Sequence, residues 1–329
     1  MNKNTKIIII ATALLITAFI IYIFFYRDNK TPAGIDSVYK GQISNIEPTQ
    51  NNLFFLSDDK LTIKSFNPSS GTVSDIYQSE AEISYYYPAN DGSRVVVTAD
   101  GENILFDVKN KKSQPLDPCW AATAWVDATT IISNCISQEY EYDPNTINNI
   151  EKLDLTSDLK TTVVDLKFEP PLKMITTGAN TAIVITNNAG YATNDIYLLN
   201  ILSGKLQQLT EDGYINDAKM AATGQLIYST TKPDRTGVFL TKLDNPANAI
   251  QISPNPDINQ IALANNYFYE ISQENGRVVL FQKNISNPEQ ILARSDIETL
   301  GAIKQIDIVG DKIIMAGEQG LFTSNLTPE

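Results

Sequence analysis

Seven short apolar runs recur along this chain at nearly constant spacing, and nothing else in the sequence narrows the possible folds so sharply. They are NLFFLS (52–57), RVVVTA (94–99), TIISNCI (130–136), TAIVIT (181–186), QLIYST (225–230), YFYEIS (267–272) and KIIMAG (312–317). Each is followed by a loop and a second run that ends on an apolar landmark: Phe66, Val108, Leu155, Ile201, Leu243, Ile285 or Leu326. The landmarks lie 42, 47, 46, 42, 42 and 41 residues apart. Between them stand Asn, Asp, Gly, Ser and Pro, and no long amphipathic helical pattern.

Each module reads as four strands. In the fourth they are KMITTG, TAIVIT, DIYLLNI and KLQQLT, with Ser203-Gly204 turning between the last two as Pro68–Gly71 does in the first module. Four strands per repeat at a period of about 40–45 residues predict an all-β, seven-bladed β-propeller over residues 36–329. One four-stranded sheet cannot bury both faces alone, whereas stacking sheets around an axis buries them all and leaves only short edges.

Within this pattern, NDIYLLNILSGKLQQLTEDG (194–213) continued by AKMAATGQLIYSTT (218–231), and YPANDGSRVVVTADGENILFDVKN (87–110), resemble the WD40-like repeat of TolB-type β-propellers. Asp91-Gly92 sits where that repeat turns before its second strand. The resemblance is strong in modules two, four and five and implies a fold rather than a chemistry. The α/β domain that TolB proteins carry before their propeller has no counterpart in this sequence.

The last module supplies only three strands: AIKQIDIV, DKIIMAG and GLFTSNL. At the other end DSVYKGQISNIEP (36–48) aligns with SDIYQSEAEISYYYP (74–88), an outer strand leading into the next inner one. Ser37–Lys40 is therefore expected to close the ring as the outer strand of blade seven, leaving no open seam.

Before that strand, Ile7 to Tyr26 run for twenty residues without a charge, about 30 Å as a helix and enough to cross a bilayer core. A cleaved signal peptide has a shorter apolar region and a small-x-small site, whereas this run ends in Ile23, Phe24, Phe25 and Tyr26. The expected organisation is a cytoplasmic stub (1–6), a single transmembrane signal anchor (7–26), a short linker (27–35) and the propeller. Lys3, Lys6 and the α-amino group precede the anchor, which keeps the amino terminus inside and the propeller extracytoplasmic. The part after residue 30 carries 21 basic and 37 acidic residues, a net −16. That field repels phosphate backbones, so nucleic acid is not an expected partner.

Cys119 and Cys135 fall on the first and second strands of blade three, about a turn at Asp127-Ala128. In an oxidising exterior they would join across the hairpin, closing a 17-residue loop worth about 3 kcal/mol. The alternative is two buried, unpaired cysteines, since a one-residue slip in register moves a side chain to the other face. The chain has no histidine. That removes the usual general base of a catalytic triad and the commonest zinc and copper ligand. Two cysteines cannot make a structural zinc site. Carboxylates, lysines and tyrosines remain for catalysis.

The connections between second and third strands, and between blades, share one face of a propeller. There SQEYEYDPNTINN (137–149), NNAGYATND (187–195) and TKPDRTG (231–237), with the links KFEPPLK (167–173) and EDGYIND (211–217), bring Tyr140, Tyr142, Asp143, Tyr191, Tyr214, Asp217 and Asp234 into one sector. Loops on a rigid scaffold often carry function, and exposed tyrosines make good contact area, although tyrosines also simply pack at blade junctions. Calcium is a possible ligand of the Asp and Asn side chains, but no EF-hand spacing occurs; no other cofactor is expected. The leading expectation is a non-enzymatic scaffold for an envelope protein or peptide. The alternatives are a glycan-acting enzyme using Asp143, Asp217 or Asp234 as paired carboxylates, and a sugar or small-ligand binding module.

Overall fold

A computed structural model describes residues 34–43, 45–116, 120–136, 148–166, 169–178, 180–187, 194–211, 213–221, 224–264 and 266–326. They form seven four-stranded antiparallel sheets. Six sheets use four consecutive strands, spanning 46–78, 83–115, 120–166, 169–208, 215–253 and 261–296. The seventh has three strands within 303–325 and takes its outer strand from Ile35–Lys40.

The repeated runs are the second strands, and their burial on both faces explains why apolar residues dominate them instead of alternating with exposed polar ones. In Leu53–Leu56 every residue is buried. Leu53 and Phe55 pack with blade seven, while Phe54 and Leu56 pack with blade two. Ile313 and Met315 likewise face blade six, and Ile314 and Ala316 face blade one. A strand sandwiched on both faces cannot afford a polar side. One hydrophobic cluster lies at each of the seven blade junctions, including the junction of blade seven with blade one, so the sheets form a closed ring. The outer strands are mostly exposed, as in Lys112–Pro115, where all four residues are.

The landmarks mark the end of each third strand. The backbone N–H groups of Val108, Leu155, Ile201, Ile285 and Leu326 donate to Ser93, Thr129, Asn180, Asn266 and Asp311, each just before the second strand. Phe66 lies two residues earlier, inside its strand, paired with Leu53.

Ring closure occurs as expected and extends two residues further upstream. Ile35, Asp36 and Ser37 pair with Ser324, Thr323 and Phe322; after a bulge at Val38, Tyr39 and Lys40 pair with Leu321 and Gly320. Ile35 enters the cluster between blades six and seven. Tyr39 packs on Phe55 of blade one, with ring centroids 5.2 Å apart. The N-terminal strand thus completes two junctions as well as one sheet.

One expected link is shorter than its sequence suggested. The inner strand of blade four starts at Glu169, so most of 167–173 is strand, with a register irregularity between Glu169 and Lys173. That irregularity takes up Pro170-Pro171, which have no N–H for a regular ladder. In the same way the link 211–217 gives way to strand at Ile215. Helical structure among the described residues is limited to the 3₁₀ turns Ile258–Gln260 and Glu298–Leu300. No described helix is long and apolar enough to cross a membrane, and residues 7–26 lie outside the described residues.

Candidate functional site

The inner strands, which line the axis, are stitched to one another at all seven junctions. Gln305 Nε2 donates to the Ile46 carbonyl (2.9 Å) and its Oε1 accepts from the Ile46 N–H (3.1 Å). Tyr86 Oη donates to Asn45 (3.1 Å), Trp125 Nε1 to Tyr87 (2.8 Å) and Thr176 Oγ1 to Trp125, each time at a backbone carbonyl. Lys173 Nζ pairs with Asp217 Oδ1 at 2.8 Å. Lys219 Nζ donates to the Ile261 carbonyl, and Gln260 Nε2 to that of Ile303 (2.9 Å). The result is a girdle of side-chain bonds around the channel.

Pairing register places Glu47, Tyr87, Lys219 and Asp307 at one level, opposite Phe54, Val96, Ile227 and Ile314 of the second strands. Burial raises the Glu47 carboxyl above its ordinary range, against the opposing pull of Lys173 and the Asn45 amide. Burial lowers the Lys219 ammonium, with Asp307 pulling the other way. Burial, with Glu47 and Tyr85 adding to it, pushes the Tyr87 phenol up to about 12. The wall carries both signs, and Lys173 and Asp217 pair on it. Among the described residues no three His, Cys, Asp or Glu side chains are grouped to hold a metal ion.

Tyr140, Tyr142, Asp143 and Tyr191 lie outside the described residues, as does Cys119. Tyr214 is 42% exposed on the link from blade four to blade five. Its backbone bridges Asn194, and its carbonyl accepts from Thr231 N–H, tying three connections together. Asp234 is exposed on the turn Lys232–Arg235, where Arg235 donates to Tyr228 Oη (3.0 Å) and stacks 4.4 Å over Phe239. Asp217 stands apart from these two, on the channel wall of blade five. The structure therefore brings Tyr214 and Asp234 to one face and Asp217 to the axis. Cys135 stands opposite Trp120, one residue from Cys119, and no described cysteine is a free thiol.

The two ends of the ring differ in charge. On the loop face, made by connections between second and third strands and between blades, the described residues include eleven acids and three bases. On the turn face, made by the other connections, they include five acids and three bases. Glu80, Glu82, Asp58 and Asp59 cluster on the loop face beside blade one, with Lys60 paired to Glu82 at 2.5 Å.

No family model and no curated protein sequence matches the chain. Solved structures do share its architecture. An oligogalacturonate lyase from Vibrio parahaemolyticus is 9% identical, with 91% of this chain and 96% of that one covered and a TM-score of 0.64. The WD40 repeats of RRP9 are 12% identical over 91% and 99% of the two chains, with a TM-score of 0.61. TolB from Acinetobacter baumannii is 11% identical over 91% and 68%, with a TM-score of 0.54. At such identities the likeness shows the fold alone, a β-propeller, here of seven blades.

Proposed function

We propose that this chain is a membrane-anchored, extracytoplasmic β-propeller whose loop face binds a protein or peptide rich in lysine and arginine at the cell envelope. The observation that carries the proposal is the charge asymmetry of the two faces on a ring held rigid at every junction. A fixed acidic surface attracts a basic partner over a Debye length and fixes its register, with tyrosines supplying contact area. Residues 7–26 serve as the anchor, and a Cys119–Cys135 bridge suits the oxidising exterior in which the propeller would sit.

The test uses the full-length chain in detergent and a lysine- and arginine-rich peptide. Binding should weaken steeply as salt rises, fail for the glutamate-substituted peptide, and fall at least tenfold when Glu80, Glu82 and Glu298 are changed to lysine. Changing Tyr140, Tyr142 and Tyr191 to alanine should weaken it further. Salt-independent binding that ignores the peptide's charge would remove the basis of the proposal. The bridge is checked separately, by a mass two hydrogens below that of the reduced chain.

A further inference from the structure

The outer strand of blade seven has a direction, and that direction orients the molecule. Ile35 is level with Ser324 and Lys40 with Gly320, so the strand begins on the turn face and ends on the loop face. The described chain therefore enters the ring at the turn face. We infer that the turn face rests on the lipid surface, with Leu202 and Leu159 dipping among the headgroups and the acidic loop face turned away from the bilayer. The inference rests on residues 7–26 being the membrane anchor.

Three independent features of the fold converge on it. The eight residues 27–34 reach at most about 28 Å when fully extended, so the face they join is held near the membrane. Of the described large hydrophobic residues, Leu202 (72% exposed) and Leu159 (61%) are the most exposed. Both belong to the turn face, Leu202 on the turn between the third and fourth strands of blade four and Leu159 at the start of blade three's outer strand. Single exposed leucines on a soluble surface need no explanation, but two on neighbouring blades of the tethered face match an interfacial contact. Finally, the larger excess of acid lies on the other face, so an anionic headgroup layer opposes the turn face less.

The experiment places a fluorescent label on the full-length chain in phosphatidylcholine–phosphatidylglycerol vesicles that contain a nitroxide-bearing lipid. Labelling is done without reductant at Ser70→Cys, on an exposed turn of the turn face, and at Asp234→Cys, on the loop face. Quenching should be at least threefold stronger at position 70 than at position 234. It should fall at position 70 when Leu159 and Leu202 are both changed to aspartate. Equal or reversed quenching in protein that floats with the vesicles would overturn the orientation while leaving the anchor intact. Protein that does not float with the vesicles would overturn the anchor, and the orientation with it.

Discussion

Blades two and seven reach the same four-stranded sheet by opposite routes. In blade two the outer strand Lys112–Pro115 follows the third directly, through a tight turn in which Lys111 adopts φ 53°. All four of its residues are exposed. In blade seven the outer strand is Ile35–Lys40, drawn from the far end of the propeller sequence, and it brings a buried Ile35 and a Tyr39 packed on blade one. An outer strand in mid-chain decorates one sheet. The one that closes the ring also holds two junctions, and its removal would leave the edge of Gly320–Asn325 unpaired.

The largest effect should come from that asymmetry. Deleting residues 31–41 is expected to lower the melting temperature by more than about 10 °C, whereas replacing Lys112–Pro115 with glycine and serine should cost only about 2–4 °C. Similar losses from the two changes would erase the distinction. Next comes a contrast between buried and exposed ion pairs. Glu270 is 3% exposed, accepts from Ser253 Oγ and pairs with Lys283 at 2.5 Å. Glu270→Ala should cost about 3 kcal/mol in denaturant unfolding, because the half-buried Lys283 loses its counter-charge and Ser253 its acceptor. Glu82→Ala, on the loop face, should cost under about 1 kcal/mol.

A finer probe of the seam is Gly320, which has φ 142° and whose added Cβ would overlap the carbonyl of Tyr39. Gly320→Ala should cost about 2–4 kcal/mol, a clash added to an unfavourable backbone. Gly276, at φ 78° with nothing within 4 Å, should lose only about 1–2 kcal/mol as alanine. Equal costs would mean that blade seven's edge is not packed as described.

The smallest effect concerns the channel. Burial raises Glu47's pKa above its ordinary 4.5, so the folded state holds the proton more tightly than the unfolded chain does. Stability is then lost as pH rises from about 4.5 through the raised value. Glu47→Gln lacks this loss. Its melting temperature relative to the natural chain should climb between pH 4 and pH 7, and a flat difference would contradict the burial of that carboxyl.

The second strands were legible in the sequence because both their faces are buried, which makes apolar residues dominate each run, with the few polar members such as Asn134 and Glu270 buried as well. Arg94–Ala99, Thr130–Ile136 and Lys312–Gly317 match the sequence runs end for end. The closing strand was legible only by subtraction, since its exposed pattern says nothing by itself. The channel wall was not legible. The turn between first and second strands varies from 49–52 to 89–93 to 310–311, so the spacing from a channel residue to its partner is seven for Glu47 and Phe54 but nine for Tyr87 and Val96. Bulges near the start of the inner strands, as between Ile215 and Asp217, shift the register again. Asp217 consequently read as a loop residue and stands on the wall, while Glu47, Lys219 and Asp307 gave no signal at all.

Amide hydrogen exchange across Ile35–Lys40, in the full-length chain, tests the seam most directly. The pairing with Gly320–Ser324 implies that the alternate amides facing that partner exchange as slowly as the partner-facing amides of another outer strand, Thr72–Gln78 of blade one. Exchange at the rate of an unpaired chain would mean that the ring is open where these strands meet.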